Sequence, residues 1–310
     1  MNTYSGETSI ETTNKISVAY SGILACTYNT TNGAYSGILA GTYNTTTYDY
    51  AVVLGGELNT ASGIRSSVTG GYRHTASGLD SSVTGGHRNT ASGESSSVVG
   101  GDFNTASGRW SSIIGGQYNK ASNYKSSVTG GFNNTASDIN SSVTGGLNNT
   151  ASGWDSSVTG GDNNTASGRD SSITGGESNT ASGRDSSITG GMYNTASGDC
   201  SSVTGGYRNT SYNKYEFATG ILNNSTQSSY TYLATGFSIG NGTIIRIDNV
   251  VTNKKHNAFE VKQNGDIYIP DTSTGVADYE APMIHLQQKI IDLETTITNL
   301  KARIAALENK

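Results

Sequence analysis

One apolar residue recurs along this chain at a fixed interval. Ile23, Ile38, Val53, Val68, Val83, Val98, Ile113, Val128, Val143, Val158, Ile173, Ile188 and Val203 each stand fifteen residues from the next, which makes thirteen copies. The text around them reads S-S-[VI]-T-G-G-x-x-N-T-A-S-G-x-x, looser in the first two copies ("SGILACTYNTT", "SGILAGTYNTT") and echoed by "FATG" at 217–220 and "LATG" at 233–236. Strand alternation puts Val68 and Gly70 on one face and Ser67 and Thr69 on the other, and Ala76 shares a face with Gly78. A short strict period without insertions means that each copy is one unit stacked on the next. Fifteen residues are too few for a helical hairpin and suit one β-solenoid turn of two short strands and two tight turns. The expected interior holds one Val or Ile, one Ala and two Gly per turn, a thin core. Thirteen turns at the spacing of paired strands give a shaft roughly 60 Å long.

The Gly-Gly and Asn positions read as turn residues, since Gly adopts positive φ freely and Asn tolerates it. Stacked turns would also bring the Asn side chains from Asn89 to Asn209 into an amide ladder. His74 replaces one such Asn and reads as drift. No copy has the aspartate of calcium-binding β-rolls, so calcium is not implied. Cys26 and Cys200 lie more than eleven turns apart, roughly 55 Å at the strand spacing, far beyond the ~7 Å a disulfide allows between Cα atoms.

From residue 241 the pattern changes. "GTIIRIDNVV" and "NAFEVKQNGDIYI" alternate apolar and polar residues, and Asn264-Gly265 splits the second as a hairpin turn does. Past Pro270, Met283, Leu286, Ile290, Leu293, Ile297, Leu300, Ile304 and Leu307 alternate steps of three and four, a coiled-coil seam. Ile at a with Leu at d leans towards two strands. "RIAALE" instead resembles the Arg-h-x-x-h-Glu motif of short trimeric coiled coils, in which Arg303 reaches Glu308 of a neighbouring chain. The expected organisation is an N-terminal cap or attachment segment (1–19), thirteen repeats (20–211), degenerate repeats (212–240), a β connector (241–280) and a coiled coil (281–310).

Composition narrows the function classes. The chain has 41 glycines, 2 prolines and a net charge of −5 without a basic patch, which argues against a nucleic-acid partner. No signal-peptide pattern and no apolar run of membrane-spanning length is present in the 310 residues, so no membrane insertion is expected.

"SSVTGG" and "NTASG" resemble, in order, the "NSVAIG"-type and "A-x-A-x-G"-type half-repeats of trimeric autotransporter adhesin heads, the YadA-like family, across residues 20–210. The resemblance implies a left-handed parallel β-roll, three rolls packed side by side over a coiled-coil stalk, and hence a homotrimer. The thin inner face fits a roll that buries one flank on its neighbours, and trimerisation falls to Ile290, Leu293, Ile297, Leu300, Arg303, Ile304, Leu307 and Glu308. The family's secretion signal and C-terminal membrane barrel have no counterpart in this sequence. The layout is also similar to phage and large-virus fibres, so a virion or other extracellular surface is the expected location.

Columns that change from copy to copy are free for recognition. Aromatic and Arg residues in the variable pairs give the surface candidates Tyr72, Arg73, Phe103, Trp110, Tyr118, Tyr124, Phe132, Trp154, Tyr193 and Tyr207 for a surface glycan or protein receptor. Asp155, Asp170 and Asp185 would stack as like charges, and Arg169 and Arg184 beside them are expected to form ion pairs with aspartates. No nucleophile, metal-ligand or cofactor motif is present, and no catalytic residue is assigned. Two alternatives are an ice-binding solenoid, suggested by the Thr columns although Thr-x-Thr pairing is missing, and a polysaccharide hydrolase using the Asp column.

Overall fold

The computed structural model of the chain describes residues 14–221 and the strands Phe237–Gly240, Glu260–Val261 and Ile267–Tyr268. The expected coiled coil, with its seam residues, Arg303 and Glu308, lies outside the described residues. Two compact units are present, Met1–Arg246 and Ile247–Lys310. In the second, Glu260 pairs with Tyr268 and Val261 with Ile267, the antiparallel hairpin expected around Asn264-Gly265.

The first unit is an all-β parallel solenoid of about thirteen fifteen-residue turns. Its Thr-Ala strands stack into a 14-stranded sheet and its Ser-Val strands into a 15-stranded one, each strand hydrogen-bonded to the strand one repeat away. The first Thr-Ala-type strand, Lys15–Ile16, falls inside the segment expected to be a cap. A third parallel ladder was not foreseen: one residue per turn bridges to the next, from Thr42↔Glu57 to Tyr207↔Ile221. The last bridge spans fourteen residues because Gly220, at φ +100°, takes the role of the second glycine one position early. "FATG" stacks on Phe237–Gly240, "FSIG", with Phe217 opposite Phe237, and not on the "LATG" echo.

One turn, 141–155, shows how the sequence closes on itself. Ser141, Val143, Asn149 and Ala151 point inwards and are at most 1% exposed. Ser142, Thr144, Thr150 and Ser152 point outwards. The Val, Ala and second-strand Gly positions are interior as the alternation requires, but the first glycine of the pair is not. Gly145 is half-buried, and a Cβ there would meet nothing within 4 Å. Ser and Asn fill the interior in its place, so the core is part polar and must be hydrogen-bonded.

The Asn column meets that demand. Asn134 donates from Nδ2 to the carbonyls of Gly130 (2.9 Å) and Gly146 (3.0 Å), and its Oδ1 accepts the backbone N–H of Asn149 at 2.9 Å. The ladder therefore runs from side chain to backbone, not amide to amide, and it repeats from Asn14 to Asn209. None of these Asn residues has positive φ; from Asn29 on, the residue before each one does, at φ +53° to +58°. His74 is fully buried and reproduces two of the three bonds of an Asn in this column. Its Nδ1 accepts the Asn89 N–H at 3.0 Å and its Nε2 lies 3.0 Å from the Gly86 carbonyl. Burial, ahead of any other influence, lowers its pKa from the usual 6.5.

The two glycines of each pair differ in kind. The second, such as Gly146 at φ +90°, lies where a Cβ would sit 2.2 Å from the Gly161 carbonyl oxygen and 2.4 Å from Asn149 Nδ2. Left-handed backbone and close approach both demand glycine there. Neither reason applies to Gly145. The interior serines are mixed: Ser126 Oγ donates to the Asn123 carbonyl at 2.7 Å, while Ser111 Oγ has no partner among the described residues. Ser111→Ala is therefore expected to leave stability within about 0.5 kcal/mol of the parent or raise it, since it removes an unpaired buried hydroxyl. Urea unfolding checks this, and a loss above ~1 kcal/mol would show the hydroxyl to be bonded.

Candidate recognition rims

Each turn has two corners, and both place non-glycine residues in the left-handed region. One corner follows Gly-Gly and includes Arg73, Phe103, Tyr118 and Tyr193; the other precedes Ser-Ser and includes Trp110, Lys125, Asp155 and Asp170, all at φ +53° to +58°. At both corners such a residue turns its N–H backwards, as Tyr118 does to the Asp102 carbonyl and Trp110 to the Glu94 carbonyl, at 2.9 and 2.8 Å. Strand amides donate forwards to the next turn instead. The reversal satisfies the ladder at a cost of about 1–2 kcal/mol for an L-residue. Asn133 and Asn148 occupy the same column with less strain. Phe103 and Tyr118 keep large side chains there at that cost, which marks the corner as more than a turn.

The ten candidates divide between these rims. Tyr72, Arg73, Phe103, Tyr118, Phe132, Tyr193 and Tyr207 lie on the Gly-Gly rim, and Trp110, Tyr124 and Trp154 on the Ser-Ser rim. They do not form one site. On the first rim Tyr72 stacks on His87 (centroids 5.3 Å apart, planes 13°), His87 meets Phe103 edge-on (5.3 Å), and Phe103 stacks on Tyr118 (4.9 Å). Tyr118 then meets Phe132 edge-on at 5.6 Å, so five rings run unbroken over five turns. Arg73 lies over Tyr72 at 5.1 Å and Arg88 over Phe103 at 5.2 Å. Farther along, Tyr193 and Tyr207 pair edge-on at 5.9 Å with Arg208 over both.

The second rim is shorter and more charged. Trp110 packs on Tyr124 at 5.0 Å, with Arg109 4.4 Å and Lys125 5.5 Å from the Trp110 centroid. Trp154 stands apart from that pair under Arg169, at 4.8 Å. The expected ion pairs are present within single turns: Arg169 Nε–Asp170 at 3.2 Å and Arg184 Nε–Asp185 at 3.0 Å. Asp155 instead accepts from Asn140 Nδ2 at 2.8 Å. Arg65 bridges to Asp80 of the next turn and holds that carboxyl below the usual range by its hydrogen bond. All these groups are exposed, so they set local geometry more than stability.

Sequence reasoning missed His87 and Arg88 as members of the ring track. It also passed over the first turns, where Tyr20, Tyr35 and Tyr50 stack at 5.1 and 5.2 Å and Tyr28 stacks on Tyr43 at 4.9 Å. Their fifteen-residue spacing was the available signal. Searched against models of known protein families, the chain matches none, and no curated protein matches it.

Proposed function

We propose that this chain is a non-enzymatic, trimeric fibre or adhesin-type shaft, carried on a virion or other extracellular surface, that attaches to a glycan or protein receptor through its two rims. The observation that carries the reading is a column of glycine, kept at every turn from Gly55 to Gly190, that the chain's own fold does not require. Gly55, Gly70, Gly85, Gly100, Gly115, Gly130, Gly145, Gly160, Gly175 and Gly190 all face open space without positive φ, and Ala40 stands in the same column. Alanine would fit at each and would lower the entropy of the unfolded chain. Beside that column run outward Ser and Thr, replaced at some turns by exposed Leu24, Leu39, Leu54, Val99 and Ile114. A flat, small-residue flank with apolar insertions suits close packing by further copies of the chain. Its constant glycine column sets it apart from the variable rims, which remain for recognition, and the resemblance to YadA-like heads agrees with this division.

The sign of one substitution set tests the proposal. With the flank uncovered, Gly130→Ala, Gly145→Ala and Gly160→Ala together should stabilise the solenoid, by about 0.4–1 kcal/mol each. With copies packed on it, the added methyls should lower its melting temperature, and light scattering should give three times the mass of one chain. A monomeric parent, or a stabilised variant, overturns the trimer.

A second reading has its own observation. Ser142-x-Thr144 and Thr150-x-Ser152 face outwards on the two sheets and recur turn after turn, a regular hydroxyl array of the kind an ice-binding face needs. Thermal hysteresis in a monomeric protein would favour it.

A further inference from the structure

We infer that the Gly-Gly rim between Tyr72 and Phe132 is a binding track for a neutral, linear, equatorially linked polysaccharide lying along the solenoid axis, one sugar per turn. The inference rests on the attachment reading and narrows it to one rim and one ligand class. Each of five successive turns offers one ring, although the ring moves between the two variable letters: Tyr72, His87, Phe103, Tyr118, Phe132. The position in sequence shifts while the rings stay in contact, at 4.9–5.6 Å. The constant quantity is a ring in every turn.

The geometry leaves those rings partly open, Tyr118 and Phe132 being exposed and Tyr72, His87 and Phe103 half-buried. Parallel rings in full face contact would lie about 3.5–4.0 Å apart. At 5.3 Å for Tyr72–His87 and 4.9 Å for Phe103–Tyr118 they must slide past one another like shingles, so part of each face remains uncovered. Tyr118 and Phe132 are 45% and 42% exposed. An apolar sugar face fits such a surface, and the sugar's hydroxyls find donors and acceptors in Gln117, Asp102 and the arginines.

Register and charge select the occupant. Successive turns advance by about 4.7–4.9 Å, close to the advance of one pyranose unit in an extended, equatorially linked chain. An extended peptide advances by about 3.3 Å per residue and would lose step with the rings within two turns. Arg73 and Arg88 are balanced along the same rim by Glu57 and Asp102, which favours an uncharged polymer over a polyanion.

The test titrates the full chain calorimetrically with β-1,4-linked glucose and N-acetylglucosamine oligomers of one to seven units. Affinity for at least one series should rise with every unit up to about five, one for each ring, and then level off. Phe103→Asn with Tyr118→Asn keeps a residue type already found in the left-handed column and should cut the length dependence to about two units, with an unchanged circular dichroism spectrum. Thr180→Ala with Thr195→Ala, on the outward face of the Thr-Ala sheet and outside both rims, should leave binding unchanged. Binding that is already complete with one or two units overturns the axial track while leaving glycan attachment standing. No binding by either series to a folded, trimeric chain also overturns it, and the trimer then stands on its own mass measurement.

Discussion

Leucine in place of Asn134 is expected to destabilise the solenoid by about 2–6 kcal/mol and to split its unfolding into two transitions. Leucine has as many side-chain heavy atoms as asparagine and is no smaller, so the effect is not a cavity. Two backbone groups lose their partners at once, the Asn149 N–H and the Gly130 carbonyl, while the Gly146 carbonyl keeps only the Phe132 N–H. Each buried orphan costs about 1–3 kcal/mol. Asn134→Asp should be no better, because its second oxygen would face the two carbonyls that the amide nitrogen now serves. The splitting follows from the stacking: every turn touches only its neighbours, so a weak interface in the middle separates the array into two cooperative blocks. Differential scanning calorimetry of the variant reads both effects. A single transition at the parent temperature would show that the Asn column is not what joins the turns.

Acidification should weaken the same ladder at one turn only. His74 works there as a neutral ring, since Nδ1 receives the Asn89 N–H and a proton on it would set donor against donor. The imidazole is fully buried, its pKa is lowered by burial, and the nearby His87, when charged, lowers it further. The unfolded chain therefore takes up a proton that the folded chain refuses. Stability from this site is complete above about pH 6.5 and falls as pH drops below that value, until the folded ring also protonates. His74→Asn restores the regular ladder and should remove the difference. Unfolding free energies of parent and variant should converge at pH 8 and diverge at pH 5.5, the parent being the weaker. Parallel pH profiles would mean that the ring can release the Asn89 amide without loss.

How much of this was legible in the letters depends on how each position is constrained. Val143 and Ala151 announce their burial because a buried apolar site excludes polar residues, and the period does the rest. Arg169 and Asp170 predict their pairing because they are adjacent. The left-handed corners carry no such signal: Phe103, Trp110, Arg73 and Asp155 share one backbone conformation, imposed by the reversed amide bond to the previous turn and not by residue type. The two glycines of a pair look alike in sequence, yet Gly146 is required by its neighbours and Gly145 by nothing in its own chain. His74 looks like an error until its two nitrogens are seen making two of the three bonds of an asparagine. The candidate residues were legible as variable letters, but their division between two rims was not, because that depends on which corner each letter occupies.

The uniform fifteen-residue register has a consequence for heredity. From Lys15 to Phe217 the strands of both sheets pair at fifteen-residue steps, so a duplicated or deleted copy leaves all other pairings intact. Near-identical copies such as 164–176 and 179–191 are also what misaligned recombination acts upon. The gene can therefore lengthen or shorten its product one turn at a time without passing through a misfolded intermediate. Reach becomes a trait that varies in steps of about 5 Å, inherited separately from the letters on the rims.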